Sequence, residues 1–232
     1  MMTGRSLLAF CAATLCMSAA PAGAGMVVLN NPSFEAGLTA WSCSTTATGN
    51  VTVVHSWTQG DGGSGPLSWG PTQGSWFALL SGGNRDTDIT LSQRFTAHAG
   101  DVLRFAYFWD GGDSVDGVKY NDSAAGIALF DPAGSATAYP IFDESIRKRG
   151  DYNGTPWQYV SFEIPVSGTY DLMFELRNAT DSRSDSYLGV DAVPEPAAVL
   201  LGLLGLSIAG LKLREYTQNG PNGAGQNAAF WA

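Results

Sequence analysis

Basic residues, cysteine and histidine are scarce in this 232-residue chain, and each shortage excludes a class of function. Twelve Lys and Arg face 21 Asp and Glu, a formal charge of −9. The stretch between the two apolar ends holds 9 basic and 19 acidic residues. A surface that acidic repels phosphate backbones, so nucleic acid is excluded as a partner. It tolerates divalent cations and neutral sugars. There are three cysteines, of which Cys11 and Cys16 lie in the N-terminal apolar run. Cys43 alone belongs to the body, so no intramolecular disulfide framework is available, and burial is the expected fate of this thiol. His55 and His98 are the only histidines, and neither stands in an H-E-x-x-H or triad-like context. The Gly60–Gly65 run is not followed by the Lys-Ser/Thr of a phosphate loop. Catalysis therefore has little support, and a non-enzymatic chain is expected. The alternative is a secreted carbohydrate-active hydrolase using two of the 19 carboxylates, whose spacing in space a sequence does not show.

The two ends are the apolar parts. Arg5 precedes an apolar run from Leu7 to Met17, and Ala22-Gly23-Ala24 supplies an A-x-A cleavage site. Residues 1–24 read as a secretory signal peptide, which implies export. At the other end, Val193-Pro194-Glu195-Pro196 precedes an uncharged run, Ala197 to Leu211, closed by Lys212 and Arg214. As a helix rising ~1.5 Å per residue that run spans roughly 22–26 Å, somewhat short of a ~30 Å hydrocarbon core. Prolines before it and cations after it favour a short transmembrane helix whose basic end stays cytoplasmic.

This order of parts resembles the PEP-CTERM sorting domain, with the box at Val193, Pro194, Glu195 and Pro196 and the basic end at Lys212 and Arg214. The resemblance covers residues 193–214. It implies that an exosortase recognises the box at the inner membrane and processes the chain, which then passes to the cell surface or extracellular matrix. Eighteen residues, Glu215 to Ala232, extend beyond the basic end, rich in Gly, Asn and Gln. Residues 215–232 read as a disordered tail.

Residues 26–192 alternate short apolar segments with Gly, Asp, Asn and Pro, and contain no long 3.6-residue period. In Trp157–Ile164, Val160, Phe162 and Ile164 share one face. After Gly168, Tyr170, Leu172, Phe174 and Leu176 alternate with polar residues, Met173 excepted. Asp101–Trp109 is apolar on both faces apart from Arg104 and reads as a central strand. Further strands are predicted at Asn50–Val54, Trp76–Leu80, Asp88–Phe95, Ala125–Phe130, Tyr139–Phe142 and Ser186–Asp191. The fold class is all-β, a two-sheet jelly-roll sandwich flanked by a signal helix and a C-terminal transmembrane helix. The long loop Asp110–Ser123 is the expected functional loop.

Three motifs in the body are similar to those of galactose-binding-like jelly-roll modules. Asn31-Pro32-Ser33-Phe34-Glu35, with Gly37 and Trp41, looks like their N-terminal strand. Gly74-Ser75-Trp76-Phe77-Ala78-Leu79-Leu80 looks like their next strand, and Leu188-Gly189-Val190-Asp191-Ala192-Val193 like their last. The resemblance implies a structural Ca²⁺ held where the chain ends meet, with Glu35 and Asp191 as the matching ligands. Calcium takes six to eight oxygens, so these two would be only part of its shell.

Two Asp/Asn groups, one of Asp110, Asp113, Asn121 and Asp122 and one of Asn178, Asp181 and Asp185, have turn-forming composition that could also ligate a metal. For polysaccharide, the candidate contacts are Trp157 and Tyr159, opposite Val160 and Phe162, together with Trp57 and Trp69. Aromatic faces pack on sugar C–H surfaces while acids and amides accept hydroxyl protons. Trp76 and Trp109 are expected to be packing residues. The expected role is an exported module that binds extracellular polysaccharide or builds matrix.

Overall fold

Alternation of apolar and polar residues organises the protein into two antiparallel sheets, face to face. The computed structural model describes residues 24–46, 48–59, 67–83, 87–112, 122–132, 135–179 and 186–193. In chain order the strands are β1 (Ser42–Thr45), β2 (Asn50–Val54), β3 (Trp57–Thr58), β4 (Ser68–Trp69), β5 (Phe77–Ser81), β6 (Thr87–Ala97) and β7 (Val102–Asp110). They continue as β8 (Ser123–Phe130), β9 (Thr137–Ser145), β10 (Gln158–Glu163), β11 (Gly168–Asn178) and β12 (Tyr187–Asp191). One short helix, α1 (Ile146–Arg149), follows β9. One five-stranded sheet has the order β1-β6-β11-β8-β9 and the other β10-β7-β12-β5-β2, while β3 and β4 form a separate pair. This is the two-sheet, all-β sandwich that the alternation implies.

Period-2 burial sets the layers. Along β11, Tyr170, Leu172, Phe174 and Leu176 are buried, and Met173 sits on the outer face. On β6, Ile89, Leu91 and Phe95 point inward, joined by one amide, Gln93. Its Nε2–H donates to the carbonyls of Asn30 and Ala40, and its Oε1 accepts the Asn30 N–H, so the buried amide is satisfied and holds the N-terminal segment in place. Between the sheets, the Tyr107 ring stacks on Phe142 at 3.8 Å and Phe105 meets Phe174 edge-on at 4.9 Å. β7 lies inside its sheet, between β10 and β12, as its two apolar faces require. Trp109 is fully buried in the core. At one end of the sandwich, Arg149 forks onto the buried Glu144 with two bonds of 2.6 Å, and Glu144 accepts the Tyr107 hydroxyl. Burial and that carboxylate push the Tyr107 hydroxyl far above its ordinary pKa.

Three expectations need correction. Asn31–Glu35 is not a strand but the start of a chain of turns reaching Ala40. Asn31, Phe34 and Ala40 have positive φ, and the Asn31 side chain accepts the Ala36 N–H and donates to the Gly37 carbonyl. A short amide that binds its own loop competes with the sheet ladder, and Pro32 supplies no N–H to it. Cys43 is not buried: it is a free, exposed thiol on edge strand β1, where four short polar residues have no second sheet over them. The strands β3 and β4 and helix α1 lie in stretches read as loop.

The signal peptide, apart from Ala24, lies outside the described residues. So do Pro194, Glu195, Pro196, Lys212, Arg214, the proposed membrane helix and the 215–232 tail. Among the described residues no helix is long and apolar enough to cross a membrane.

Candidate functional site

The outer face of the β10-β7-β12-β5-β2 sheet is apolar where an outer face is ordinarily wet. Phe77 and Leu79 on β5 and Phe108 on β7 point outward and are nonetheless buried. Gly189 on β12 leaves the room for this, since a Cβ there would overlap the Phe108 ring. The β3–β4 pair lies over these residues as a roof. Trp69 stacks on Phe108 at 4.2 Å and 9°, and Trp57 packs on Tyr187 at 4.2 Å. Trp157, just before β10, meets both Phe77 and Phe108 edge-on.

Each of these indoles also donates a hydrogen bond that fastens the roof. Trp69 Nε1–H binds the Thr155 carbonyl at 2.9 Å, Trp157 Nε1–H the Gly70 carbonyl at 2.8 Å, and Trp57 Nε1–H the Asp110 carboxylate at 2.8 Å. Three of the four aromatic residues singled out for sugar contact thus come together in one cluster. Trp69 is 4% exposed and has no face to offer a ligand. Trp57, Trp157 and Tyr187 are half-buried at the margin of the roof. Tyr159, on the outer face of β10, is 63% exposed. It is the most open aromatic of this face, and edge strand β10 presents it.

Asp110 ends β7 beneath the roof and is 1% exposed. Burial raises its pKa, opposed by the donors on Trp57 and Gln59. Among the described residues its other oxygen, Oδ1, meets no donor. Asp122 and Asn178 are buried as well, and Asp122 Oδ1 accepts the Ala179 N–H. That bond links the two Asp/Asn groups, which lie far apart along the chain. Asp113, Asn121, Asp181 and Asp185 fall outside the described residues, as does most of the Asp110–Ser123 loop. Among the described residues no three His, Cys, Asp or Glu side chains are grouped to hold a metal ion.

Glu35 and Asp191 do converge, and what joins them is a turn. Glu35 Oε1 accepts the Ser75 and Trp76 N–H groups at 2.6 and 3.2 Å. Asp191 Oδ2 accepts the Thr72 and Gln73 N–H groups at 2.6 and 3.1 Å, and the Thr72 hydroxyl at 3.0 Å. Asp191 Oδ1 takes the Ala192 N–H. Gly74 turns the chain at φ +75 with no room for a Cβ beside Glu35. The start of the chain and the last strand are thereby tied through residues 72–76. The N–H donors neutralise the anions and do not ligate a cation, and the Thr72 hydroxyl is the one donor here whose oxygen could, which leaves the shell far short of six to eight oxygens. This shell does not fit calcium as it stands. Burial raises the Asp191 pKa to about 6 in spite of these donors.

The outer face of the β1-β6-β11-β8-β9 sheet is different. Two rows of side chains cross four strands: Asp88, Arg177, Ser123 and Ser145, then Thr90, Glu175, Ala125 and Asp143. They line a groove of about 610 Å³. Outward alternation on β11 had marked Glu175 and Arg177 as a wet face. Their partners on β6, β8 and β9 depend on register, which the sequence pattern does not reveal.

No family model and no curated protein matches the chain. Several solved structures are similar to the chain at low identity. TmCBM61 in complex with β-1,4-galactotriose is 17% identical at a TM-score of 0.44, over 72% of this chain and 96% of that one. The CBM22-1 xylan-binding domain from Paenibacillus barcinonensis Xyn10C is 16% identical at a TM-score of 0.40, over 75% and 99%. The enzymatically active domain of bacteriophage CBA120 tailspike protein 4 is 14% identical at a TM-score of 0.42, over 72% and 22%.

Proposed function

We propose that the protein is an exported exosortase substrate whose sandwich is a non-catalytic polysaccharide-binding module of the cell surface or extracellular matrix. The sorting part rests on the resemblance of residues 193–214 to the PEP-CTERM segment, behind a signal peptide. In that reading the chain pauses at the inner membrane and is released from its span by the exosortase. For the body, the observation that carries the reading is the aromatic margin of the roofed face. Tyr159 is open to solvent, and Trp157 and Trp57 are half-buried beside the same apolar cluster. Rings held rigidly at a surface stack on sugar C–H faces with little ordering cost.

A paired-carboxylate hydrolase built on Asp110 and Asp191 is disfavoured by spacing. Asp191 lies across from Ala106, and Tyr187 lies across from Asp110. Asp110 and Asp191 are thus four residues apart along neighbouring strands, about 14 Å at ~3.4 Å per residue. Glycosidase pairs stand roughly 5 to 9.5 Å apart.

The sorting reading is tested by the intact mass of the mature protein from its host and from a strain lacking the exosortase. The expected host form ends near Val193–Pro196, while the deletion strain retains the span. Retention of residues 197–232 in both strains would make the segment an ordinary anchor.

A further inference from the structure

The groove on the β1-β6-β11-β8-β9 face takes no part in the aromatic cluster, and its chemistry points to an occupant. At about 610 Å³ it falls within the usual ~300–1,000 Å³ range of small-molecule sites. Its two rows carry carboxylates (Asp88, Asp143, Glu175), a guanidinium (Arg177) and hydroxyls (Thr90, Ser123), with Ala125 the one outward apolar residue between them. The rows cross three strand gaps, about 14 Å at ~4.8 Å each, which is room for a short run of sugar rings. Glu175 is half-buried at the middle of its row, and no hydrogen bond or ion pair among the described residues engages its carboxylate. Arg177 reaches Asp88 only at 3.7 Å.

Charge and shape narrow the occupant. Lys148 pairs with Asp143 at 3.4 Å, so three carboxylates stand against one guanidinium and one ammonium, a net negative groove that disfavours a polyanion. The rows hold no apolar stripe for a lipid chain or an amphipathic helix. The groups present are those that bind hydroxyls: acceptors on the acids, and donors on Arg177 and the alcohols. We infer that this groove is a glycan-binding site that takes a neutral polysaccharide chain through its hydroxyl groups. The inference rests on the polysaccharide reading above and extends it. The sandwich then has a stacking margin on one sheet and a hydroxyl-reading groove on the other, and can hold two chains at once.

The test is depletion of the full chain by an insoluble neutral β-glucan, with a polyuronate as the acidic control. Glu175→Gln, Asp143→Asn and the groove-filling Ala125→Arg are compared with Trp157→Ala, and circular dichroism checks that each folds. The expected result is binding to the glucan that is insensitive to salt, no binding to the polyuronate, and at least a tenfold loss in Glu175→Gln and Ala125→Arg. Wild-type binding unchanged by the groove variants but lost in Trp157→Ala overturns the groove and leaves the general reading intact. Failure of the wild type on every neutral glycan overturns both. Release of reducing ends from the glucan would replace a binding groove with a hydrolase.

Discussion

The two outer faces of this sandwich share a strand pattern and differ in what covers them. Over β5, β7 and β12 the chain places a two-stranded roof, and Trp69, Phe77, Leu79 and Phe108 are buried there as a second core. Among the described residues no further strands cover β6, β8 and β11, and the outward residues there are mainly Asp, Glu, Arg, Ser and Thr, with Met173, Ala125, Ile127 and Leu129 half-buried among them. The lesson is that an aromatic residue near a surface has two uses that exclude each other. Trp69 has been given to packing, with its indole N–H spent on Thr155. Tyr159 has been left out.

The comparison is broken most severely by removing the roof. Trp69→Ala deletes a buried indole from its stack on Phe108, and a loss of about 3–5 kcal/mol is expected from such truncations, read as a lower denaturation midpoint. The matching change on the open face, Thr90→Ala, should stay within ~0.5 kcal/mol. Next in size is Thr155→Val. Thr155 Oγ1 accepts the Trp109 N–H at 2.9 Å, and leaving that buried donor unmet should cost about 1–3 kcal/mol.

Asp191 sets a pH test of the tie between β12 and residues 72–76. Its folded pKa, about 6, lies above the ordinary 3.8, so the native state holds its proton more tightly than the unfolded one. Its contribution is therefore fully present below about pH 4 and is lost as pH rises through about 6. Asp191→Asn should flatten thermal stability across that window. Added Ca²⁺ sharpens the question: N–H-satisfied carboxylates leave the midpoint unmoved by calcium or chelator, whereas a calcium tie raises it and reverses the pH slope. The smallest change in stability belongs to Tyr159→Ala, within ~0.5 kcal/mol. Its effect is expected on glycan affinity instead, roughly two- to tenfold for an aromatic contact worth ~0.5–1.5 kcal/mol.

Much of the fold was legible because period-2 alternation reports burial directly. Asn50–Val54 is a strand over the very residues predicted, β10 and β11 have their inner faces where Val160 and Phe174 placed them, and β7 lies inside its sheet as its two apolar faces implied. The roof was not legible. Two-residue strands carry no period, and Trp57 and Trp69 stand among glycines that look like loop. Glu35 and Asp191 were put together by resemblance as calcium ligands, and the N–H groups of residues 72–76 that each of them binds were not legible, since backbone donors leave no mark in a sequence. The groove escaped because no single strand contains it: Asp88, Glu175 and Asp143 meet only through the register of four strands.

The claim that the exported body is a polysaccharide-binding module is tested most directly by equilibrium binding of the full chain to insoluble neutral glycans, beside Tyr159→Ala and Trp157→Ala. Saturable binding of the wild type, weakened in both variants at unchanged fold, is the expected result. Wild-type protein that remains wholly in solution with every glycan would contradict the claim and leave a structural matrix protein in its place.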